Sequence, residues 1–450
     1  MKLVCTTNPF IPVTQQRHLV YALIEIVPDL ASNGLAAPLN LGLVVDASRS
    51  MSIPILSEAQ FLDLRRKGFA KQVTVDGVQV WQIEVPKNTR VEAPSNMDFT
   101  KQALGVVADF LQPNDRFSLV AFAQDALLMV RNSPGTQKAL LREAAARLDQ
   151  IDLGDDTFMG RGMEKGLEQM RVALSSERIN RMIVLTDGHT QETHACYECA
   201  REAKKAGIVV STMGLGLDFN EELLISLADV SGGNAYFADE PHEIPQAFRQ
   251  ELAQVKSITW RDLSLTLTCP ADVTLRRAHR VTPTIAALDA EGNRLTLGDL
   301  QQATPPSVLL ELVVPGRSAG TYRLAQVTLH GRLSGAQQTQ PLVEENVLVR
   351  YSERPSQVGQ TDARLMDAVQ KVSAFKLHTQ AIEEVERGNI AGATRRLRAA
   401  GERLIEMGQH DLGQTMLTEA ELMEQEGQMS AEGTKKLRYG TRKLSKPPTG

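Results

Sequence analysis

The residues best suited to chemistry lie in three short segments. The first is Asp46-Ala47-Ser48-Arg49-Ser50, the second Gly154-Asp155-Asp156-Thr157, and the third Thr186-Asp187-Gly188. If they converge, they would supply two carboxylates and three hydroxyls. All are hard oxygen donors, suited to Mg²⁺, Mn²⁺ or Ca²⁺ and not to zinc or copper. Mg²⁺ keeps octahedral geometry and usually retains waters. A site with so few protein charges therefore leaves a position for an outside ligand. D-x-S-x-S alone is also what a polar turn capping a helix looks like, since Asp and Ser are common N-caps. Three such segments in order outweigh that reading.

The elements that must position these residues read as alternating strands and helices. LNLGLVVD (39–46) is a continuous apolar run, as in a strand buried on both faces. FSLVAFA (117–123), RMIVLTD (181–187) and IVVSTMGLG (208–216) are further strands. Helical spacing covers 96–111 with Ser95 as N-cap, 191–206 with Gly207 as the stop, 220–231 and 243–255, and another helix begins near Gly160. The alternation predicts an α/β domain with a doubly wound, mostly parallel, Rossmann-like sheet and helices on both faces. Ligands of open α/β sheets bind at the carboxyl ends of the strands, which is where the three segments fall.

On these residues the chain resembles the von Willebrand factor A (VWA) domain family, in its bacterial form. D-x-S-x-S after a buried strand, a later Thr before a helix and T-D-G after another strand are similar to that family's metal-ion-dependent adhesion site. STMGLGLDFNEELLISLADVSGGNAYFADEPHEIPQAF (211–248) resembles the end of such a domain. The resemblance spans residues 38–255. It implies that Ser48, Ser50 and Thr157 are hydroxyl ligands and that Asp46 and Asp187 hold the metal directly or through water. It further implies that a partner's acidic side chain completes the shell. The function implied is a protein-binding adaptor dependent on Mg²⁺ (or Mn²⁺ or Ca²⁺), not an enzyme. Its partner would be a protein presenting a carboxylate, such as an AAA+ ATPase of the MoxR type or a kinase-system protein.

Two positions depart from the family pattern. Arg49 stands where a small residue is common, and would offset the site's negative charge or reach an anionic partner. Asp156 stands where Gly is common. With Asp155 it is read as a solvated loop acid, and raising cation affinity is the alternative.

The segment 52–94 is an insertion into this pattern. KQVTVDGVQVWQIEV (71–85) carries two alternating runs around Asp76-Gly77, a strong hairpin signal. It begins just past the metal loop, so Trp81, Phe61 and Phe69 are candidate anchors for a partner. The competing reading is that they pack the insert onto its own domain. Cys196 and Cys199 invite a zinc reading with His189 and His194, but a second cysteine pair is missing and core packing is preferred. His189 is read as a loop residue and not a general base.

The flanking segments complete the architecture. Residues 1–37 contain the alternating strand RHLVYALIEIV (17–27), and 256–355 contain five strand-like runs. Relatives in which a VWA domain is inserted into a β-sandwich suggest that these two parts form one sandwich. Residues 356–430 read as an amphipathic helical bundle with breaks near Gly388 and Gly408. It is either a second interaction surface or packing for the sandwich. Residues 431–450 read as a flexible basic tail, with Thr434, Thr441 and Ser445 as possible phosphorylation sites.

Composition sets outer bounds. A net charge of −5 argues against nucleic acid as the main partner. No apolar run approaches the roughly 18 residues of a membrane span, and MKLVCTTNPF lacks a secretory core. Four cysteines are too few for a disulfide framework in 450 residues, so a cytoplasmic setting is expected. Two other functions share the same residues: a metal-dependent hydrolase and a structural subunit of a larger assembly.

Overall fold

The computed structural model describes residues 1–450 except 9, 29–36, 76–77, 85–92, 155, 291, 302–303, 334–337, 355–361 and 446–450. At its centre is a six-stranded sheet. Its strand order is Ala235–Ala238, Val209–Leu215, Ile179–Thr186, Leu39–Asp46, Arg116–Phe122 and Ala126–Pro134. The first five are parallel, and the last runs antiparallel at the edge. The strand Leu39–Asp46 is buried along its whole length, as its unbroken apolar run predicts. Leu41, Leu43 and Val45 face one apolar cluster and Val44 faces the other. Helices Asn96–Phe110 and Ile244–Lys256 cover the first face. Helices Met159–Arg171, Thr193–Lys205 and Glu221–Ser231 cover the second. Ser95 caps its helix with a reciprocal bond pair to Asp98.

From the strand Leu39–Asp46 the chain moves toward Arg116–Phe122 on one side. From Ile179–Thr186 it moves toward Val209–Leu215 on the other. The crevice between diverging connections is where such sheets bind ligands. Asp46 and Asp187 stand at its two lips.

Two five-stranded sheets form a sandwich beside this domain. His18–Val27 pairs antiparallel with Ser307–Val314, register Ile24 to Val308, and Lys2–Thr7 pairs with His18–Val27. Phe10–Pro12 joins the opposite sheet beside Gln340–Ser352. The N-terminal strands and those after residue 257 thus share one apolar core, which includes Leu3, Ile24, Leu265, Leu310 and Val327.

Helices Ala363–Glu386, Ile390–Glu406 and His410–Glu426 pack on the outer face of the first sandwich sheet, against Leu23, Val281, Ile285 and Leu309. The basic segment that follows differs from expectation. Ala431–Arg442 is a helix, and Leu437, Tyr439 and Thr441 on it are buried. Its basic residues find acids elsewhere in the chain: Arg442 meets Asp229 at 2.6 Å and Lys435 meets Glu221 at 3.0 Å. A tail of this composition stays flexible only while such partners are absent. Thr441, fully buried, is not accessible to a kinase in this fold. Among the described residues no helix is long and apolar enough to cross a membrane.

Candidate metal centre

The strand Leu39–Asp46 delivers Asp46 to the carboxyl edge of the sheet, and the chain then turns sharply. Ala47 N–H donates to the Phe122 carbonyl at 2.7 Å. Ser48 N–H donates back to Asp46 Oδ1 at 2.8 Å, closing a tight Asx turn. Arg49–Ser52 is a single 3₁₀ turn, and it is pinned underneath by the buried Met51. This geometry brings Ser48 Oγ and Ser50 Oγ within 3.0 Å of each other.

The third segment meets the first across the crevice. Ser50 Oγ donates to Asp187 Oδ1 at 2.7 Å, and Thr186 Oγ1 donates to Asp46 Oδ2 at 2.6 Å. Asn96 Nδ2 donates to the other Asp187 oxygen at 3.0 Å. The second segment is tied to the loop after Arg116–Phe122 and to the chain just past the third segment. Phe158 N–H donates to Ala123 O at 2.9 Å, and Gln191 N–H donates to Thr157 O at 2.9 Å. A methyl group on Gly188 would lie 3.6 Å from the Thr157 hydroxyl oxygen, so this loop closes over the same crevice.

All five expected ligands thus belong to the loops around one crevice. Asp46, Ser48, Thr157 and Asp187 are buried, while Ser50 is exposed and opens the site to solvent. Two residues of the site were not singled out from sequence: Asn96, which bonds Asp187, and Thr186, which orients Asp46. Thr186 sits inside the T-D-G motif, so its role was readable. Asn96 gave no signal beyond lying next to the Ser95 cap.

The crevice holds two carboxylates that are both buried. Burial pushes the Asp46 carboxyl up to about 6, and the Asp187 charge pushes the same way, while hydrogen bonds from Ser48 and Thr186 oppose it. Burial likewise raises Asp187, against hydrogen bonds from Ser50 and Asn96. The hydrogen bonds named here come from hydroxyls, an amide and a backbone N–H, all neutral donors. They leave the charge of two buried, neighbouring carboxylates in place, which is costly without a counter-ion. The donor set, two carboxylates plus hydroxyls and nothing softer, fits a hard divalent cation. Asp46, Ser48, Ser50, Thr157 and Asp187 would hold it. Among the described residues no group of three or more His, Cys, Asp or Glu could hold a metal ion, and this crevice itself offers only two carboxylates beside its hydroxyls.

Arg49 and Asp156 are exposed beside these loops, and Asp155 lies outside the described residues. Cys196 is buried in the second-face cluster, and burial raises its thiol to about 12 and that of Cys199 to about 11. Both remain protonated thiols packed against apolar neighbours. His189 is exposed.

In the insertion, Ala70–Val75 and Val78–Ile83 pair as an antiparallel hairpin, and the Asp76-Gly77 turn itself lies outside the described residues. A helix, Glu58–Arg66, precedes it. Trp81 is 40% exposed. It makes an edge contact to Phe61 at 5.4 Å between ring centroids, and the Arg65 guanidinium lies 5.1 Å from its ring. Ile53, Ile55, Leu62 and Ile83 are also exposed.

Comparison with known proteins bears on the fold. The profile of the von Willebrand factor type A domain matches residues 91–250. That of the Sll0103-like C-terminal alpha-helical domain matches residues 363–447. The uncharacterized protein sll0103 of Synechocystis is 23% identical over 77% of this chain and 83% of its own length. A von Willebrand factor type A protein from Catenulispora acidiphila superposes with TM-score 0.72 at 17% identity, covering 98% of this chain and 96% of its own. The ArnB paralog VWA2 from Sulfolobus acidocaldarius superposes with TM-score 0.55 at 14% identity, covering 99% and 98%. At these identities the two structures speak for the fold.

Proposed function

This chain carries a von Willebrand factor type A domain, and from that premise we propose that it is an adaptor that binds a partner protein through a divalent cation. Asp46, Ser48, Ser50, Thr157 and Asp187 hold the cation, Mg²⁺ by preference, with Mn²⁺ and Ca²⁺ as substitutes. A carboxylate of the partner takes an open position. The observation that carries this reading is the meeting of the Asp46 and Asp187 loops through Ser50 at 2.7 Å, with two buried carboxylates facing one crevice. The cation supplies the positive charge that these carboxylates and the partner's share. The protein residues orient the carboxylates, exclude water from Asp46 and leave Ser50 at the open side. The role assigned is binding without turnover. The four cysteines are free thiols, which agrees with a reducing, cytoplasmic setting. An AAA+ ATPase or a kinase-system protein is the partner class that bacterial VWA proteins suggest.

The test is a Mg²⁺ titration by calorimetry on wild type and Asp46→Ala, followed by capture from native lysate with Mg²⁺ or EDTA. Binding by wild type alone, with one protein retained only with Mg²⁺, is the expected result. Absence of cation binding by wild type sinks the reading. Metal-dependent cleavage of a model phosphoester, lost in Asp46→Ala, would instead make the protein a hydrolase.

A further inference from the structure

A cavity of about 430 Å³ lies between the first sandwich sheet and helix Ala363–Glu386, and no residue of the Asp46 or Asp187 loops lines it. That volume falls in the range of small-molecule sites, roughly 300–1,000 Å³. A short edge strand creates the space. Ala286–Leu288 pairs with residues 278–280 of the longer strand Thr274–Thr282 and goes no further. Among the described residues, 275–277 therefore have no strand on that side. Such an edge presents unpaired backbone groups. Arg277 and His279 stand opposite Glu311 and Leu309 in the neighbouring strand. Leu309 packs against the helices, so both side chains rise on the helix side of the sheet.

The charges around the cavity do not balance. Lys376, from the helix, is met by the buried Glu311 at 2.6 Å, and Glu383 by Arg387 at 3.7 Å. Arg276 and Arg277 are left facing a single acid, Asp289. Both arginines are exposed, and among the described residues neither makes an ion pair. His279, also in the lining, is 4% exposed, and its Nδ1 has no hydrogen-bond partner among the described residues. Burial pushes its pKa down to about 4, so the ring is neutral at pH 7 and offers a hydrogen bond, not a charge. Phe375 and Leu288 give the cavity apolar wall. Guanidinium groups favour planar or tetrahedral oxyanions, which they can grip with two parallel bonds.

We propose that this cavity binds a small organic anion, with a carboxylate or phosphate head on Arg276 and Arg277 and an apolar body against Phe375 and Leu288. Such a ligand touches sheet and helix at once, so it stabilises the docking of the C-terminal helices on the sandwich. This site is independent of the cation reading above.

The experiment titrates the full chain by calorimetry with phenyl phosphate, benzoate, inorganic phosphate and benzyl alcohol. EDTA is present throughout, so that no phosphate binds through a cation. Phenyl phosphate and benzoate distinguish the two heads. Inorganic phosphate lacks the body, and benzyl alcohol lacks the charge. At least one aromatic anion binds wild type about tenfold more tightly than either control. Arg276→Gln with Arg277→Gln weakens that binding roughly tenfold or more, because the charge-assisted bonds are lost. Thr379→Trp, at an exposed position in the cavity lining, fills the space, keeps both arginines and removes binding. All three substitutions are at exposed positions, so the fold survives them. Inorganic phosphate binding as tightly as the aromatic anions would make the arginines an ordinary surface anion site and overturn the proposal. So would wild-type affinity in either cavity variant, or no binding of any probe. An acidic peptide of Glu and Ala that binds more tightly than both aromatic anions would make the cavity a protein-docking site and overturn it too.

Discussion

Ser50 and Asp187, 137 positions apart in the chain, are joined by a hydroxyl-to-carboxylate hydrogen bond of 2.7 Å. The bond spans the crevice where the sheet's connections diverge. It makes the first and third motif loops a single structural unit.

That unit keeps the Asp46 carboxylate out of water, and burial first, with the Asp187 charge second, raises its pKa. Asp46→Asn removes one of the two buried charges and keeps the shape. In EDTA the variant should be more stable than wild type by about 1–3 kcal/mol, since each unit of raised carboxyl pKa corresponds to roughly 1.4 kcal/mol. In Mg²⁺ the order should reverse, because only wild type gains from cation binding. Urea unfolding under both conditions checks this. A variant less stable in EDTA would mean that the Ser48 and Thr186 hydrogen bonds outweigh that burial and the Asp187 charge.

The insertion should govern partner choice and not cation binding. Removing residues 55–92 is expected to leave the Mg²⁺ isotherm unchanged and to abolish Mg²⁺-dependent partner capture. Trp81→Ala alone should weaken capture by about 1–2 kcal/mol, as loss of an exposed aromatic anchor does. If the truncated protein captures the same partner equally well, the hairpin only packs on its own domain.

Glu251, buried on the last helix of the VWA domain, accepts from Ser211 at 2.6 Å, Tyr236 at 2.8 Å and Asn234 at 3.0 Å. Arg181, also buried, lies 3.5 Å away. Glu251→Ala strands that guanidinium with Asp299 at 3.9 Å as its remaining acid among the described ion pairs. A loss of about 3–5 kcal/mol is expected. Glu251→Gln, which keeps an acceptor, should lose less. Equal urea midpoints for the two variants would remove the charge from the explanation.

His378 sets an acid limit on the helical domain. Its ring is 2% exposed, and burial, with Arg438 adding, pushes its pKa down to about 3. Unfolded histidine titrates near ~6.5, so between that value and about 3 the unfolded chain binds the extra proton. Stability is therefore intact above pH ~6.5 and falls as the pH drops, by about 2 kcal/mol at pH 5. His279, lowered to about 4 by burial, acts in the same direction. His378→Gln should reduce the difference between pH 7 and pH 5 and leave the His279 share of it. A variant with the wild-type slope would show that His378 is solvated in solution.

That the Asp46 and Asp187 loops lie at one edge of the sheet was legible because each follows a strand with a strong apolar signature. Asp46 and Ser48 need only a tight turn to meet, and a motif records a turn. Helix 431–442 was not legible, because its burial depends on acids such as Glu221 and Asp229, more than 200 positions upstream. Composition reports how many Lys and Arg a segment carries, not whether a distant carboxylate waits for them. The Glu251 network escaped for the same reason: Ser211, Asn234 and Tyr236 converge only once the sheet has formed.

The pairing of His18–Val27 with Ser307–Val314 has a consequence in time. During synthesis the early strand emerges first, and the whole α/β domain is made before its partner strand exists. At about 5–20 residues per second that wait is on the order of 15–60 s. Leu3, Ile24 and Ile26, buried in the finished sandwich, have no lid through that interval. The nascent chain thus carries an exposed apolar hairpin while the domain behind it folds, and a chaperone that shields such edges has its natural moment there.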